Sequence, residues 1–283
     1  MDLASEIERA VAQALEEDVG PGDLTAALVP AGSTARARVV CREEAVICGR
    51  AWFEAVFHKV DSRCHVTWLV TDGELVEAGR RLCEVSGPAR ALLTAERTAL
   101  NFLQTLSATA TATRRFVDAV KHTKAQIVDT RKTLPGMRLA QKYAVRMGGG
   151  ANHRSGLYDG ILIKDNHLAA AGGIAAALKQ ALATTPPGIF VQVEVETLDQ
   201  LQEALDAGAT MILLDNFDLD RMKRAVTRNA GRASLEASGG VTLATVRKIA
   251  ETGVERISVG SLTKDVKAVD LSMRFETGAG TRI

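Results

Sequence analysis

The segment FVQVEVETLDQLQEALDAGATMILLDN, residues 190–216, decides the fold of this chain. It opens with a strand pattern, because valine alternates with polar residues in VQVEV. LDQLQEALDAG then has the apolar spacing of an amphipathic helix, and Gly208 stands where a helix commonly ends. The aliphatic run TMILLDN follows. The segment therefore predicts a strand, a helix and a second strand, the unit from which parallel sheets are built.

The same alternation recurs on both sides of this segment, from about Ala125 onward. The six strand patterns are QIVDT, GILIKD, FVQVEVE, TMILLDN, SLEAS and RISVGS. Six such units in succession predict a parallel sheet that is closed, or nearly closed, as a barrel. An open doubly wound sheet is the alternative, but no GxGxxG turn follows the first strand, and polar residues recur along one side of several strands. The sequence favours the barrel.

The first 110 residues have a different pattern. Runs such as ARARVVCR, AVICG and CHVTWLV, with a hairpin signal at Asp72-Gly73, predict a mostly antiparallel sheet. A long helix pattern from about Ala89 to beyond Asn101 predicts the connection into the barrel. VTDGELVEAGRRLCEV is similar to the hairpins of biotinyl-type modules, but no lysine stands at its turn to accept a cofactor. We interpret that segment as scaffold.

Composition and charge are those of an ordinary soluble globular protein with a large core. The chain has 283 residues, 46% of them hydrophobic, with 35 basic residues against 34 acidic ones. A nucleic-acid surface usually needs a basic face and stacking aromatics, and neither is suggested here, since only 4% of residues are aromatic. The longest apolar run, 168–178, is shorter than the roughly 20 residues that span a membrane.

The N-terminus and the cysteines predict a cytoplasmic location. MDLASEIERAVAQALEEDVG is an acidic amphipathic helix pattern without the cationic start and apolar core of a secretion signal. The cysteines form no CxxC pair and have no histidine at metal-binding spacing, which argues against a zinc or redox site and for reduced thiols. They are Cys41, Cys48, Cys64 and Cys83.

Positive charge is concentrated between Arg131 and Lys164. This segment, RKTLPGMRLAQKYAVRMGGGANHRSGLYDGILIK, holds seven Lys or Arg residues and one acid, Asp159, in a chain whose formal net charge is +1. Cations that lose their water are tolerated where anions meet them. The segment therefore predicts a pocket for a small, strongly anionic ligand.

Carboxylates and a lysine stand at the predicted strand ends, where parallel barrels place their catalytic groups. Alternation puts Gln192, Glu194 and Glu196 on the face of the third strand opposite the valines. If the valines contact helices, Glu194 points into the barrel, whereas we interpret Glu196 as a cap of the next helix. Lys164 and Asp215 end their strands near the barrel mouth, and a solvated loop position is the alternative for each.

Glycine-rich turns follow several of these elements and predict contacts with an anion. The glycines at 148–150 precede His153 and Arg154, and they indicate either a flexible helix end or a tight loop that brings both side chains to a ligand. The turns Ser-Gly-Gly at 238–240 and Gly-Ser at 260–261 follow later strands, where glycine lets backbone N–H groups approach a phosphate. Parallel barrels often hold phosphate in their last loops.

Taken in order, these motifs resemble quinolinate phosphoribosyltransferase. The matching segments are TRKTLPGMR, KYAVRMGGGANHRSGLYDGILIKDNH, VEVE, LLDN, EASGG and SVGSLT, with EEDVGPGDLT and ERTALNFLQ nearer the N-terminus. The likeness covers essentially the full chain, and Ser261, where alanine is common, is a small departure. It implies a type II phosphoribosyltransferase of the α/β class, with an N-terminal α/β sandwich domain and a C-terminal incomplete parallel α/β barrel.

The resemblance also implies domain boundaries, a reaction and an assembly. We expect the sandwich domain in residues 1–111, joined by the C-terminal tail 267–283, and the barrel domain in residues 112–266. The implied reaction combines quinolinate with phosphoribosyl pyrophosphate and gives nicotinate mononucleotide, pyrophosphate and carbon dioxide, in the de novo route to NAD. It uses Mg²⁺ and no organic cofactor. The family is built on dimers, and a higher oligomer stays open.

Residue roles follow from the same resemblance, position by position. Expected quinolinate ligands are Arg131, His153, Arg154 and Lys164. Lys132 is expected to contact the phosphoribosyl substrate, and Glu194 and Asp215 are expected to hold ribose hydroxyls and Mg²⁺. Expected catalytic groups are Lys164, Glu194 and Asp215. The expected phosphate cradle is Ser238, Gly239 and Gly260, with Gly240 and Ser261 as further substrate contacts.

Arg97 is expected to act in a second subunit. The resemblance implies that it enters the neighbouring site of a homodimer. Its spacing from Leu93 and Leu100 puts all three on one helix face, which suits an interface. An ordinary surface arginine beside an apolar stripe is the alternative.

Three other functions remain open at this point. A related phosphoribosyltransferase could use another anionic acceptor, although the number of cations favours a dicarboxylate. An aldolase-like barrel would use Lys164 as a Schiff-base lysine, but the surrounding anion ligands indicate an electrostatic role. A non-enzymatic sensor of a phosphorylated metabolite would gain nothing from the inward carboxylates Glu194 and Asp215.

Overall fold

The computed structural model describes residues 2–276 and divides the chain into two compact units. The first comprises the described parts of Met1–Ala112, Leu134–Gly149 and Asp265–Ile283, and the second comprises Thr113–Thr133 and Gly150–Lys264. Residues 134–149, which the sequence analysis placed in the barrel domain, thus group with the first unit. The boundaries at 111 and 267 stay predictions, and the tail from residue 277 onward lies outside the described residues.

The first unit contains an antiparallel sheet and its helices. Its sheet has the order β12-β1-β5-β3, and β2 and β4 form a separate antiparallel pair. The helices are α1 (Leu3–Val19), α2 (Arg50–Val60), α4 (Arg138–Met147) and the first part of α3 (Ala89–Val120). The strands are β1 (Thr34–Cys41), β2 (Ala45–Val46), β3 (His65–Trp68), β4 (Leu75–Val76), β5 (Arg81–Pro88) and β12 (Leu271–Phe275).

The helix α2 contributes aromatic side chains to the core of this unit. Trp52, Phe53 and Phe57 of α2 are fully buried, and the Phe53 and Phe57 rings lie 5.0 Å apart. The predicted antiparallel sheet and long helix are confirmed, but the hairpin at Asp72-Gly73 is wrong. A turn does form there, since Glu74 N donates to Thr71 O, yet β3 pairs with β5 and β4 pairs with β2. The pairing partners are chosen by packing, which a local turn signal does not contain.

Two hydroxyls of α3 form hydrogen bonds with the backbone N–H and C=O groups of residues 46 and 48, as a neighbouring strand would. Ser107 Oγ accepts from Cys48 N at 2.9 Å and donates to Cys48 O at 3.2 Å. Thr111 Oγ1 accepts from Val46 N at 2.8 Å and donates to Val46 O at 3.5 Å. Because Ser107 and Thr111 lie one helical turn apart, they meet alternate residues of the extended segment.

The second unit is a parallel sheet of six strands with the order β6-β11-β10-β9-β8-β7. The strands are β6 (Gln126–Val128), β7 (Ile161–Ile163), β8 (Val191–Val195), β9 (Met211–Asp215), β10 (Ser234–Ser238) and β11 (Arg256–Ser258). The helices are α5 (Asp165–Ala171), α6 (Ile174–Thr184), α7 (Leu198–Asp206), α8 (Leu219–Asn229), α9 (Val246–Ala250) and α10 (Ser261–Lys264), with the end of α3. All six predicted strands are present.

The sheet is rolled into an incomplete barrel. Ala151 forms a parallel bridge with Val128 at the β6 edge. Two residues later, His153 contacts Gln192 of β8 at 2.8 Å, although β8 is four strands away from β6 in the sheet order. Only a strongly curved sheet brings these positions together. The predicted fold class, an α/β chain with an N-terminal sheet domain and a C-terminal incomplete parallel barrel, is confirmed.

Local sequence signals account for the ends of several helices. Thr197 caps α7 in a capping box with Gln200, and Gly208 follows this helix with a φ of 86°, a conformation that glycine adopts without strain. The prediction that Glu196 caps α7 is wrong, because the short Thr197 hydroxyl reaches Gln200 N while Glu196 is exposed.

The helices and cysteines of residues 2–276 bear on the membrane and thiol predictions. None of the helices in this range is long and apolar enough to cross a bilayer. All four cysteines are buried free thiols, and burial raises the pKa of the Cys64 thiol to about 11, which keeps it protonated and unreactive near neutral pH.

Candidate functional site

Polar side chains end neighbouring strands of the second unit at the same edge of the sheet. Lys164 follows β7, Glu194 lies near the end of β8, and Asp215 and Ser238 end β9 and β10. Ser238 is the direct register partner of Asp215, and Glu194 is that of Leu213. Because the carboxyl ends of parallel strands open to one side, these groups line one edge of the rolled sheet.

Lys164 and Glu194 form an ion pair across adjacent strand ends. Lys164 Nζ lies 3.0 Å from Glu194 Oε2, and the side chains are 47% and 13% exposed. The mostly buried carboxylate therefore has its cation, as its desolvation requires. The Lys164 backbone N–H donates to His167 Nδ1 at 3.0 Å, which fixes the start of α5 beneath the lysine.

Asp215 is held by its neighbour Asn216 and by the loop after β10. Asn216 Nδ2 donates to Asp215 Oδ2 at 2.8 Å, and Asn216 N donates to Ser238 O at 3.0 Å. Asn216 adopts a left-handed φ of 53°, which asparagine tolerates better than most residues. A Cβ at Gly239 would overlap Asn216 Oδ1, so the two loops contact each other through a position that only glycine can fill.

Lys132 lies against Gly260 at the far side of the sheet. A Cβ at Gly260 would come within 3.1 Å of Lys132 Cδ, and the Lys132 carbonyl accepts from Thr263 Oγ1 at 2.7 Å. The loop after β6 and the loop after β11 are therefore joined. This contact places a lysine beside the Gly260-Ser261 turn that was predicted to hold phosphate.

Asp129 fastens the loop that carries His153 and Arg154. Its buried carboxylate accepts from Asn152 Nδ2 at 2.6 Å and from His153 N at 2.8 Å. Arg154 in turn donates from its guanidinium to Gly160 O at 3.0 Å. Burial lowers the pKa of Arg154, and the nearby Arg131 cation lowers it further. The two neighbouring cations create a positive local potential, which would attract and stabilise an anionic ligand.

Asp159 closes the same loop. It accepts from Ser155 N at 2.7 Å and from Gly156 N at 2.9 Å. Burial raises the pKa of this carboxyl, but the hydrogen bonds from Gly156 and Ser155 lower it, and the net pKa lies below 3.8. The one acid of the cationic segment thus shapes the turn beyond Arg154.

A polar network lies inside the barrel beneath these strand ends. Gln192 Nε2 donates to Glu236 Oε2 at 3.2 Å, and Glu236, fully buried, accepts from Arg256 Nε at 2.9 Å and from Ser258 Oγ. His153 Nε2 lies 2.8 Å from Gln192 Oε1. Such a connected network fixes side-chain positions, because each buried polar atom in it has a partner.

Comparison with known proteins decides the family. The family model described as quinolinate phosphoribosyl transferase, C-terminal domain, matches residues 109–274, and the corresponding N-terminal domain model matches residues 23–107. The chain belongs to the quinolinate phosphoribosyltransferase family. The resemblance inferred from its motifs is thereby confirmed.

Named relatives of this family are similar over nearly the whole chain. A Bacillus subtilis (strain 168) protein named probable nicotinate-nucleotide pyrophosphorylase (carboxylating) is 42% identical over 91% of this chain and 89% of its own length. Quinolinate phosphoribosyltransferase (decarboxylating) 2b, mitochondrial, of Nicotiana tabacum is 43% identical over 93% of this chain and 80% of its own length. A solved nicotinate-nucleotide pyrophosphorylase from Francisella tularensis gives a TM-score of 0.94 at 43% identity, with 98% of each chain covered.

Most site residues expected for a quinolinate phosphoribosyltransferase lie in the second unit. Arg97 is the exception, because it is an exposed residue of α3 in the first unit. The cationic segment is also divided. Four of its seven cations, Arg131, Lys132, Arg154 and Lys164, lie in the second unit, while Arg138, Lys142 and Arg146 lie on α4 in the first.

Sequence reasoning did not single out Asp129 or Glu236. Alternation in SLEAS puts Glu236 on the same face as Ser238, so the signal was present in the strand pattern. Asp129 follows directly after β6, the position where barrel strands offer functional side chains. The sequence shows that both are polar residues in or directly after a strand, but it does not show which residues they form hydrogen bonds with.

One open cavity in this unit is lined by neither Lys164 nor Glu194. It has a volume of about 380 Å³, and of the expected site residues only Arg154 lines it. β7, α5, α6 and the 154–160 loop form its walls. Among residues 2–276 no group of three or more His, Cys, Asp or Glu side chains is arranged to hold a metal ion.

Proposed function

We propose that this protein transfers the phosphoribosyl group of phosphoribosyl pyrophosphate to quinolinate. The products are nicotinate mononucleotide, pyrophosphate and carbon dioxide, in the de novo route to NAD. The observation that carries the proposal is the charge pattern of the barrel unit in a chain of this family. Four cations of the segment from Arg131 to Lys164 and the strand-end carboxylates Glu194 and Asp215 lie in that unit, which matches two polyanionic substrates joined at a ribose carbon.

Binding requires cations, because both substrates carry several negative charges. Arg131, Arg154 and Lys164 are assigned to the two carboxylates of quinolinate, with His153 beside them. Lys132, beside Gly260, is assigned to the phosphoribosyl substrate. The loops at 238–240 and 260–261 are assigned to its 5′-phosphate, since a glycine backbone allows close approach of N–H groups. Placing both substrates in one site converts a bimolecular reaction into an effectively unimolecular one.

The first chemical step is displacement at the anomeric carbon of ribose. The pyridine nitrogen donates its electron pair to that carbon, and the bond to pyrophosphate breaks with its pair leaving on the pyrophosphate oxygen. Positive charge grows on the ribose in the transition state, and Glu194 and Asp215 are assigned to stabilise it and to hold the ribose hydroxyls. Lys164, paired with Glu194 at 3.0 Å, links the ribose site to the quinolinate site.

Decarboxylation follows from the charge that the first step creates. The pyridinium nitrogen withdraws electrons, so the bond from the ring to the adjacent carboxylate breaks, carbon dioxide leaves, and the electron pair stays on the ring carbon until a proton arrives. No organic electron sink is needed. We assign stabilisation of this carbanion to Lys164 or Arg131, the cations expected around that carboxylate.

Glu194 and Asp215 also fit Mg²⁺ of the kind that accompanies a diphosphate. Mg²⁺ usually takes one or two protein carboxylates and fills its shell with substrate oxygens and water. Two carboxylates at adjacent strand ends provide that many ligands. When bound, the ion would offset charge on the leaving pyrophosphate.

Arg97 is assigned to the site of a second subunit in a homodimer. It is exposed on α3, in the same turn as Thr94, whose hydroxyl donates to Asp23 at 2.8 Å and holds the preceding loop against the helix. Large exposed apolar side chains in this part of the first unit are Leu24, Leu28 and Leu93. Apolar residues around an exposed arginine suit a subunit interface. The cytoplasmic location predicted above remains part of the proposal.

A product assay tests the proposed reaction. The purified protein is incubated with Mg²⁺, phosphoribosyl pyrophosphate and either quinolinate or nicotinate, and nicotinate mononucleotide and carbon dioxide are measured together. Equal amounts of both products from quinolinate, and none from nicotinate, are expected. Product from nicotinate or another acceptor alone would remove the dicarboxylate assignment while leaving the phosphoribosyl site in place.

A further inference from the structure

Both ring nitrogens of His153 are engaged, and the two contacts together are met by one protonation state. The backbone N–H of Arg154 donates to His153 Nδ1 at 2.8 Å, so Nδ1 presents its lone pair and carries no proton. His153 Nε2 lies 2.8 Å from Gln192 Oε1, which can only accept. A neutral imidazole with its proton on Nε2 satisfies both contacts.

Glu236 enforces the same arrangement from the other end of the network. Paired with Arg256 at 2.9 Å, its carboxylate offers acceptor atoms only. Gln192 must therefore turn its NH₂ group toward Glu236, at 3.2 Å, and its oxygen toward His153. The chain of hydrogen bonds begins at Arg256, which can only donate, and ends at the Arg154 backbone N–H, which also only donates. These two ends assign the oxygen and nitrogen atoms of the Gln192 side-chain amide.

The charges around His153 oppose each other. Glu236 Oε1, on β10, lies 3.8 Å from Nε2, and Asp129, after β6, accepts from the His153 backbone. Both would favour an imidazolium, whereas Arg256 on β11 and Arg154 next in the chain carry positive charge. The hydrogen bond at Nδ1 excludes the imidazolium only while Gln192 holds the ring in this orientation, because a proton on Nδ1 would then face the Arg154 N–H across 2.8 Å.

The ring is also held by packing. The side chain of His153 is 8% exposed, and its ring meets the Phe190 ring edge to face, with centroids 5.3 Å apart. Rotation of the imidazole by a half-turn would break both hydrogen bonds, and the Phe190 ring opposes the rotation by packing against it. The tautomer is therefore built into the fold of the barrel.

We propose that Gln192 and Glu236 are positioning residues that hold His153 as a neutral imidazole protonated on Nε2. His153 then adds no charge to the cations around it, and it fixes the peptide of Arg154, whose guanidinium the proposed function assigns to a quinolinate carboxylate. The effect of this positioning on kcat/KM rests on the proposed function. The positive charge that meets the substrate carboxylates comes from Arg131, Arg154 and Lys164.

The protonation state can be read in the intact protein without turnover. Protein labelled with ¹⁵N in its five histidines is examined by long-range ¹H–¹⁵N correlation, which separates the two neutral tautomers from the imidazolium. A His153→Asn variant identifies the His153 signal by its loss. The expected pattern near neutral pH is a protonated Nε2 and an unprotonated Nδ1. An imidazolium or an Nδ1–H tautomer would overturn the proposal.

Substitution at Glu236 tests its positioning role. In Glu236→Gln the new amide offers both donor and acceptor atoms, so Gln192 loses its fixed direction. We expect a mixture of His153 states and a loss of roughly 10- to 100-fold in kcat/KM, the usual cost of losing a group that orients a site residue, together with a changed pH profile. Glu255→Gln, which removes another hydrogen-bonded carboxylate of the same unit, is the control and should retain the wild-type spectrum and profile.

A second variant guards against a folding defect in Glu236→Gln. Gln192→Met removes both amide atoms and leaves the pair of Glu236 and Arg256 intact. It should also release the tautomer of His153. An unchanged His153 spectrum in a folded Gln192→Met protein would overturn the proposal. Failure of the wild-type protein to use quinolinate would count against the proposed function alone, because the spectrum is recorded without substrate.

Discussion

The side-chain amide of Asn216 occupies the space that a side chain at Gly239 would need. Asn216 also donates to Asp215 Oδ2, so the loop after β10 and the carboxylate that ends β9 are positioned by one residue. This contact links the expected phosphate cradle to the expected ribose site. A change at Gly239 should therefore affect both.

Gly239→Ala should damage binding of the phosphoribosyl substrate. The new Cβ overlaps Asn216 Oδ1, and the φ of 104° disfavours any side chain. We expect a raised KM for phosphoribosyl pyrophosphate and a stability loss of roughly 1–3 kcal/mol. Gly208→Ala is the matched control, since its φ of 86° disfavours a side chain in the same way, nothing lies within 4 Å of the added carbon, and it follows α7 away from the strand ends. Equal effects of the two variants, measured by steady-state kinetics and urea unfolding, would contradict the role given to Asn216.

Lys164→Ala should separate function from stability. Glu194 is only 13% exposed, but Lys164 is 47% exposed, so truncating the lysine lets water replace the lost cation at the carboxylate, and Tm should change little. Loss of a cation at the reacting centre should lower kcat/KM by roughly 10²-fold or more. Carbon dioxide and nucleotide are measured separately. Ribosyl transfer without decarboxylation would assign Lys164 to the carbanion, and parallel loss would assign it to binding.

Patterns within one element predicted structure well. The alternation of VQVEV correctly put Gln192 and Glu194 on the barrel face, because the pleat of a strand makes neighbouring side chains diverge. The contacts of those residues could not be predicted in the same way. Gln192 meets Glu236 across an intervening strand, and that strand order is a property of the whole sheet.

Contiguity in sequence was a weaker guide than alternation. The cationic stretch between Arg131 and Lys164 was interpreted as one pocket, and this stays a prediction, since the α4 cations at 138, 142 and 146 belong to the first unit. The turn at Asp72-Gly73 was recognised, but the strands that it joins lie in different sheets. Long-range packing decides which strands pair. In the same way, Asp129 accepts hydrogen bonds from residues 23 and 24 positions later in the chain.

Asp159→Asn should weaken the loop of Arg154 in a pH-dependent way. Burial raises the pKa of Asp159, but the Gly156 and Ser155 amides lower it more, to a net value below 3.8. A depressed pKa contributes stability above the unfolded-state pKa and loses it as the pH falls through the folded-state value. The stability difference between wild type and Asp159→Asn should thus shrink on acidification below about pH 4. Thermal unfolding from neutral to acid pH measures it, and a constant difference would rule out the charge as its cause.

Ser107→Ala and Thr111→Val should destabilise the first unit without touching the candidate site. Each removes the acceptor of a buried backbone N–H, at Cys48 and Val46 respectively. An unsatisfied buried donor costs roughly 1–3 kcal/mol. Thr111→Ser keeps the hydroxyl and serves as the control, with a smaller loss expected. Denaturant unfolding measures the change, and equal stability of Thr111→Val and Thr111→Ser would show that the hydroxyl pairing is dispensable.

Arg97 and Lys164 should complement each other between subunits. If Arg97 completes the site of the partner, a mixed dimer of Arg97→Ala and Lys164→Ala chains has one site with both changes and one with neither. Random pairing makes half of the dimers mixed, so co-expression should restore about a quarter of wild-type activity, since each mixed two-fold dimer has one intact site. Size-exclusion chromatography checks that both variants still assemble. Activity no greater than that of the separate variants would place Arg97 in its own subunit's site or outside the reaction, because only exchange between chains can regenerate an unaltered pair of residues.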